Sequence, residues 1–228
     1  MTRRQSGLTR APIPELPPQS EYRAVYEAIL DTVDERRTTG AKKPHVVVIT
    51  DLAKDFDDLL AMIVLKELHR LGAICLLGFV ANLNPARKRA LLGRGALDQL
   101  GLKAIPIAVG STGEHATHMH EVLDYEFAGS ESFIAKEDTK LPDGQDLLRD
   151  IFTKAKEGKH KVTFLGLSSL MDIAEFIKSD PELVKETLGK AVLQGGYSVI
   201  NGLLLLCSTF MTETGSPNRL IGFLESPL

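Results

Sequence analysis

A chain of 228 residues and 24.9 kDa, 43% apolar and 25% charged, can bury one sizeable core and is too hydrophobic for wholesale disorder. Its formal net charge of -3, with lysines and arginines dispersed, argues against a nucleic-acid polymer as partner and offers no basic amphipathic helix for a membrane surface. The longest apolar run near the end, GLLLLCSTFM, is roughly half of the ~20 residues a spanning helix needs, so no transmembrane helix is expected.

Residues 1–20 carry four prolines and no apolar signal core, and are expected to form a disordered leader ahead of a single domain over residues 21–228. Tyr22, Val25, Tyr26, Ile29, Leu30 and Val33 have helical spacing, which predicts a first helix from Tyr22 to about Arg37, closed by TTG. The continuous β-branched run HVVVIT, His45 to Thr50, reads as a strand covered on both faces. The helix after it is expected to bury Leu59, Leu60, Met62, Ile63 and Leu68. A strand from Ala73 to Asn82, a helix from Pro85 to Leu100 and a strand from Ile105 to Gly110 complete a βαβαβ pattern.

The polar, glycine-bearing segment from Ser111 to Gly144 reads as an insertion over a site. Beyond it the pattern predicts a helix near Gln145 to Lys156, a strand from Lys161 to Gly166 and a helix near Leu170 to Lys178. A short helix from Pro181 and a strand from Lys190 to Gly196 follow. Helical crossovers between strands of this kind imply an α/β fold with an open, mostly parallel, Rossmann-like sheet and helices on both faces. Cys75 and Cys207 both sit in apolar runs, where a thiol behaves as a small hydrophobe, and fit a reducing, cytoplasmic interior. Neither GxGxxG nor GxxxxGK[ST] occurs.

The stretch VVVITDLAKDFDDLLAM places Asp51, Asp55, Asp57 and Asp58 where an apolar strand gives way to an apolar helix. Ligands of open α/β sheets bind beyond the carboxyl ends of the strands, and this loop lies at such an end. Carboxylates this close repel one another, and a helix dipole offsets only ~0.3–1 kcal/mol per charge, so a hard cation, calcium or magnesium, is a natural partner. The plainer alternative makes Asp57 and Asp58 dipole-complementing first-turn residues and leaves Asp51 and Asp55 in a solvated turn.

The cluster resembles the metal loop of the inosine/uridine-preferring nucleoside hydrolases, whose signature is an apolar strand, DxDPGxDD and an apolar helix. Here it stands as ITDLAKDFDDLLA, with Ile49 in the place of the first Asp and a spacer two residues longer. LLGFVANLNPARKRALLGRGALDQLGLKAIPIAVGS is similar to the family's second strand, ribose-contacting Asn and following helix. FLGLSSLMDIAEFIKSDPELVKETLGKAVLQGGY resembles its TGPLTNIA helix, DPEL turn and IMGG strand. The likeness covers roughly Val46 to Tyr197. It implies a nucleoside hydrolase-like fold, calcium as cofactor, a small-molecule nucleoside as partner, purine or pyrimidine salvage as setting, and compatibility with a homo-oligomer.

The same resemblance implies roles. Asp51 corresponds to the base that takes a proton from the attacking water and to a calcium ligand, and Asp58 to a second calcium ligand. Asp57 and Asn82 correspond to sugar ligands, and the main-chain carbonyl of Leu167, or of Leu165, to a further calcium ligand. The reaction implied is hydrolysis of a ribonucleoside N-glycosidic bond through an oxocarbenium-like transition state.

The tail from about residue 198 departs from the family: no Asp or His follows Gly196, and Glu213 and Glu225 are its acids. That implies weak or lost turnover, or completion of the site by Glu213 or a neighbouring subunit. The alternative function is a non-catalytic nucleoside or ribose binder on a decayed hydrolase scaffold. A haloacid-dehalogenase-type phosphatase, which also starts from a strand and an Asp, lacks its second Asp because Ala53 stands there. His115, His118 and His120 read as a surface loop, a zinc site or flankers of a leaving base; Asn84 as a turn residue; Tyr197 as a strand exit or a base stacker.

Overall fold

The computed structural model describes residues 10–17, 20–113 and 120–194, together with the backbone of strands at 196–200 and 203–207. Six helices and strands precede the insertion, α1 (Glu21–Thr39), β1 (His45–Thr50), α2 (Asp57–Arg70), β2 (Cys75–Ala81), α3 (Ala86–Gln99) and β3 (Ile107–Val109), and α4 (Gly144–Glu157) follows it. Then come β4 (Val162–Gly166), α5 (Met171–Ser179), α6 (Pro181–Thr187), β5 (Leu188–Leu193), β6 (Gly196–Ile200) and β7 (Leu203–Cys207). β1 to β5 form one parallel sheet in the order β3-β2-β1-β4-β5, and β6 pairs with β7 as a separate antiparallel hairpin.

β1 is the central strand, which is why His45 to Thr50 reads as continuously apolar. Successive side chains point to opposite faces. Val47 and Ile49 join the core under α4, α5 and α6, built on Leu148, Phe152, Phe164 and Phe176. Val46 and Val48 join the core under α2 and α3, built on Met62, Leu65, Phe79, Leu92 and Leu97. The open parallel α/β sheet with helices on both faces is therefore the fold, as the sequence implies.

Two expectations are corrected. α2 buries Asp58, Met62 and Leu65 along one stripe, so Leu60 and Ile63 fall on the outer side and are 61% and 51% exposed. β5 starts at Leu188, because α6 ends at Thr187 and hands directly to the strand. The four-leucine run forms the second strand of the β6–β7 hairpin. Within the segment ahead of α1, Arg10 pairs with Asp31 at 2.6 Å and Asp34 at 2.5 Å on that helix, in exposed contacts of the kind worth little to stability.

The insertion is anchored to α3 by main-chain contact, with Ala135 N–H donating to the Leu91 carbonyl at 3.0 Å. Gly95 permits the approach: a Cβ there would stand 1.5 Å from the Phe133 carbonyl oxygen.

Candidate metal and ligand site

β1 delivers Thr50 and Asp51 to the carboxyl edge of the sheet, both buried at 1% and 5% exposure. The chain then turns back, with Lys54 N–H donating to the Asp51 carbonyl at 3.1 Å and Ala53 held at φ 77, a left-handed conformation costly for a residue with a Cβ. α2 starts at Asp57 without a side-chain cap, so Asp57 and Asp58 sit in its first turn beside the positive end of the dipole.

Asp55, Asp57 and Asp58 converge, each offering one carboxylate oxygen within 4.8 Å of the others. Asp58 is buried, accepts from the Thr50 hydroxyl and lies within electrostatic reach of the Asp51 carboxyl. Burial, followed by the negative charge of Asp51, pushes the Asp58 carboxyl up to about 8. Raised in this way, the Asp58 carboxyl holds its proton near neutral pH, and the crowding of charge that raises it is what a cation would relieve. This donor set of crowded oxygens fits a hard divalent cation.

Asp57 is exposed, with Oδ1 accepting from the Asp58 N–H at 3.0 Å and Oδ2 from the Gln194 side chain at 2.5 Å. Gln194 leaves the end of β5 and is itself fixed by its N–H to the Gly166 carbonyl at 2.8 Å. Leu167 lies on the same edge, its N–H donating to the Ile49 carbonyl at 2.9 Å, whereas Leu165 is paired with Val48 inside the sheet.

Asn82 also ends its strand at this edge, its N–H donating to the Thr50 carbonyl at 3.0 Å. Its side chain is wholly buried. The amide nitrogen donates to the Ser169 carbonyl at 2.9 Å and to Asp172 Oδ2 at 2.7 Å, and its oxygen accepts from the Ser168 hydroxyl at 2.6 Å. Both amide hydrogens are thus held inside the protein, leaving one lone pair of Oδ1 for any ligand. Asp172, 1% exposed, further accepts from the Ser111 N–H at 2.7 Å and hydroxyl at 2.8 Å.

Asn84, read as a turn residue, reaches the insertion: its N–H donates to the Thr112 carbonyl at 3.1 Å and its side-chain amide to the His120 carbonyl at 3.0 Å. His120 Nε2 meets Glu126 Oε1 at 2.5 Å. His115, His118, Glu213, Glu225 and the side chain of Tyr197 lie outside the described residues. Beside the acidic loop, a cavity of about 340 Å³ opens between α2, α3 and the insertion, lined chiefly by Phe56, Leu59, Met62, Leu92, Tyr125 and Phe133.

The edge therefore gathers Asp51, Asp57, Asp58, Asn82 and Leu167 with Asp55, the fourth carboxylate of the acidic stretch, and adds Gln194, Asp172, Ser168 and Ser169, which sequence reasoning did not single out. These four lie 86 to 137 positions in sequence from the Asn82 and Asp57 side chains they bond and carry no local signal.

No family model and no curated protein sequence matches the chain. Among solved structures, the type III effector protein XopQ complexed with adenosine diphosphate ribose superposes with a TM-score of 0.63 at 19% identity, over 84% of this chain and 55% of that one. The effector protein XOO4466 gives 0.63 at 20%, over 80% and 51%. An inosine-uridine preferring nucleoside hydrolase from Bacillus anthracis gives 0.48 at 16%, over 67% and 50%. The chain spans about half the length of the solved structures it matches. At these identities the likeness is one of fold, and the fold is the open, parallel, nucleoside hydrolase-like α/β sheet.

Proposed function

We propose that the acidic edge of this sheet binds calcium and, with it, the sugar of a ribonucleoside, and that its chemistry is hydrolysis of the N-glycosidic bond to ribose and free base. The observation that supports this reading most is the convergence of Asp55, Asp57 and Asp58 at the carboxyl end of the central strand, where buried Asp51 also lies.

Asp51, Asp58 and the Leu167 carbonyl would hold the ion. When bound, the ion supplies a water of raised acidity and a point of attachment for sugar hydroxyls. Asp51 is the group to take the proton of the attacking water: it is nearly excluded from solvent, and its carbonyl is pinned by Lys54 N–H. Asp57, exposed and oriented by Gln194, faces outward for a sugar hydroxyl. Asn82 acts through its remaining lone pair on Oδ1, its orientation set by Asp172, Ser168 and Ser169. The apolar cavity beside Asp55 suits the flat, weakly polar face of a base.

A non-catalytic nucleoside binder is favoured by one feature, the two amide hydrogens of Asn82 that are committed within the protein, because turnover draws on more sugar contacts than binding does. The test is ribose release from inosine and uridine with calcium, with chelator and with Asp57→Asn. Calcium-dependent release lost in the variant supports the hydrolase. Calcium-dependent nucleoside binding without release leaves the binder, and indifference to calcium in both assays overturns the metal reading.

A further inference from the structure

We propose that Arg89 is the positioning residue of the acidic site, a buried clamp that makes the geometry of the acidic loop depend on the seating of the insertion. Arg89 is 0% exposed, the largest fully buried side chain of the described residues. All five of its N–H donors are used. Nη1 donates to the carbonyls of Asp51 at 3.2 Å and Leu52 at 2.9 Å, Nε to that of Leu83 at 3.3 Å, and Nη2 to that of Asn84 at 2.9 Å and to Glu126 Oε2 at 2.5 Å.

These partners belong to three segments that do not otherwise fold as one element: the acidic loop after β1, the loop after β2, and the insertion. The guanidinium fork is the only side-chain shape with enough coplanar donors to hold all three, and lysine's ammonium cannot reproduce it. All three segments carry non-glycine backbone in the left-handed region, Ala53 at φ 77, Leu83 at φ 68 and Phe127 at φ 65, and such residues persist where the surroundings over-determine them.

The charge of Arg89 fixes the dependence on the insertion. A guanidinium taken out of water requires a charge partner, and Glu126 supplies it, held by Arg89, by the Leu123 N–H at 3.1 Å and by His120. A continuous path thus runs from the Asp51 carbonyl through Arg89 and Glu126 to the insertion. If the insertion lifts, Glu126 leaves with it and the carbonyls of the acidic loop lose their clamp. Coupling between two sites is reciprocal, so a cation that orders the acidic loop also orders the insertion. That last step rests on the cation reading proposed above; the clamp itself does not.

Hydrogen–deuterium exchange on the full chain, without and with calcium chloride, separates the two. In Arg89→Lys, which keeps a charge beside Glu126, exchange is expected to rise about tenfold or more, a change set by lost protection, over 51–56, 83–85 and 120–128 together. The α4–β4 core should be unchanged. Phe152→Leu, which weakens the opposite core, should leave those three segments as in the parent chain. In Glu126→Gln, exchange should rise at 51–54 although Glu126 touches nothing there. In the parent chain calcium should slow exchange over 120–128 as well as 51–58, and Arg89→Lys should confine the effect to 51–58. The clamp is overturned if either Arg89→Lys or Glu126→Gln, folded, leaves 51–54 exchanging as before. A parent chain indifferent to calcium, with the three segments still loosened together by Arg89→Lys, upholds the clamp and sinks the cation.

Discussion

The two ends of the five-stranded sheet are built on opposite terms. At the carboxyl end, Thr50, Asp51, Asp58, Asn82, Ser169 and Asp172 are buried together, with hydroxyls and amides bonded to the Asp58 and Asp172 carboxylates and the charge of Asp51 raising the Asp58 carboxyl further. At the amino end, His45 packs edge-to-face against His160 with ring centroids 4.1 Å apart, and its Nδ1 is buried without a hydrogen-bond partner. Stability explains neither arrangement, since burying carboxyls or an unpaired imidazole nitrogen costs free energy. The difference is that the carboxyl end concentrates its cost in groups a cation would relieve.

The largest effect expected falls on the clamp that supports the carboxyl end. Arg89→Met leaves Glu126 buried without its charge partner and should lower unfolding free energy by about 3–5 kcal/mol, read by urea denaturation. Next comes Gly95→Ala, which drives a methyl group into the Phe133 carbonyl. A loss of about 1–3 kcal/mol, with increased proteolysis within the insertion, is the expected result.

The comparison is sharpened by pH. Asp58 is raised to about 8 from an ordinary 3.8, so its contribution to the cation-free fold is complete below about 4 and is lost as pH rises through 8. His45 is held below its ordinary 6.5, first by burial and then by His160, so its contribution is present above 6.5 and lost as pH falls. The melting temperature should therefore decline on both sides of a maximum. Asp58→Asn should flatten only the alkaline arm and His45→Phe only the acid arm, while calcium should restore the alkaline arm of the parent chain alone. The smallest effect is at Ala53: replacement by Gly relieves φ 77 and should stabilise by about 0.5–1 kcal/mol, with the acidic cluster intact.

The sheet was legible because its strands are apolar on both faces and its crossovers are amphipathic, patterns that survive without tertiary knowledge. HVVVIT needed nothing beyond its own β-branching to be read as central. The outward turn of Leu60 and Ile63 was not legible, because a helix with apolar residues all round does not declare which stripe meets the core; here Met62 and Leu65 do. In the site, Asp51, Asp57 and Asp58 were visible as adjacent carboxylates. Gln194, Asp172, Arg89 and Glu126 were not, since their partners lie across the sheet and a buried Arg reads in sequence like any solvated one among ARKRALLGR.

A divalent cation bound at this edge is expected to replace the proton held by Asp58, and calorimetric titration of calcium into the full chain at pH 7 tests this most directly. Run in two buffers of different ionisation enthalpy, beside Asp58→Asn, the titration should show saturable binding with proton release that disappears in the variant. Absence of binding by the parent chain, or equal binding by Asp58→Asn, would contradict it.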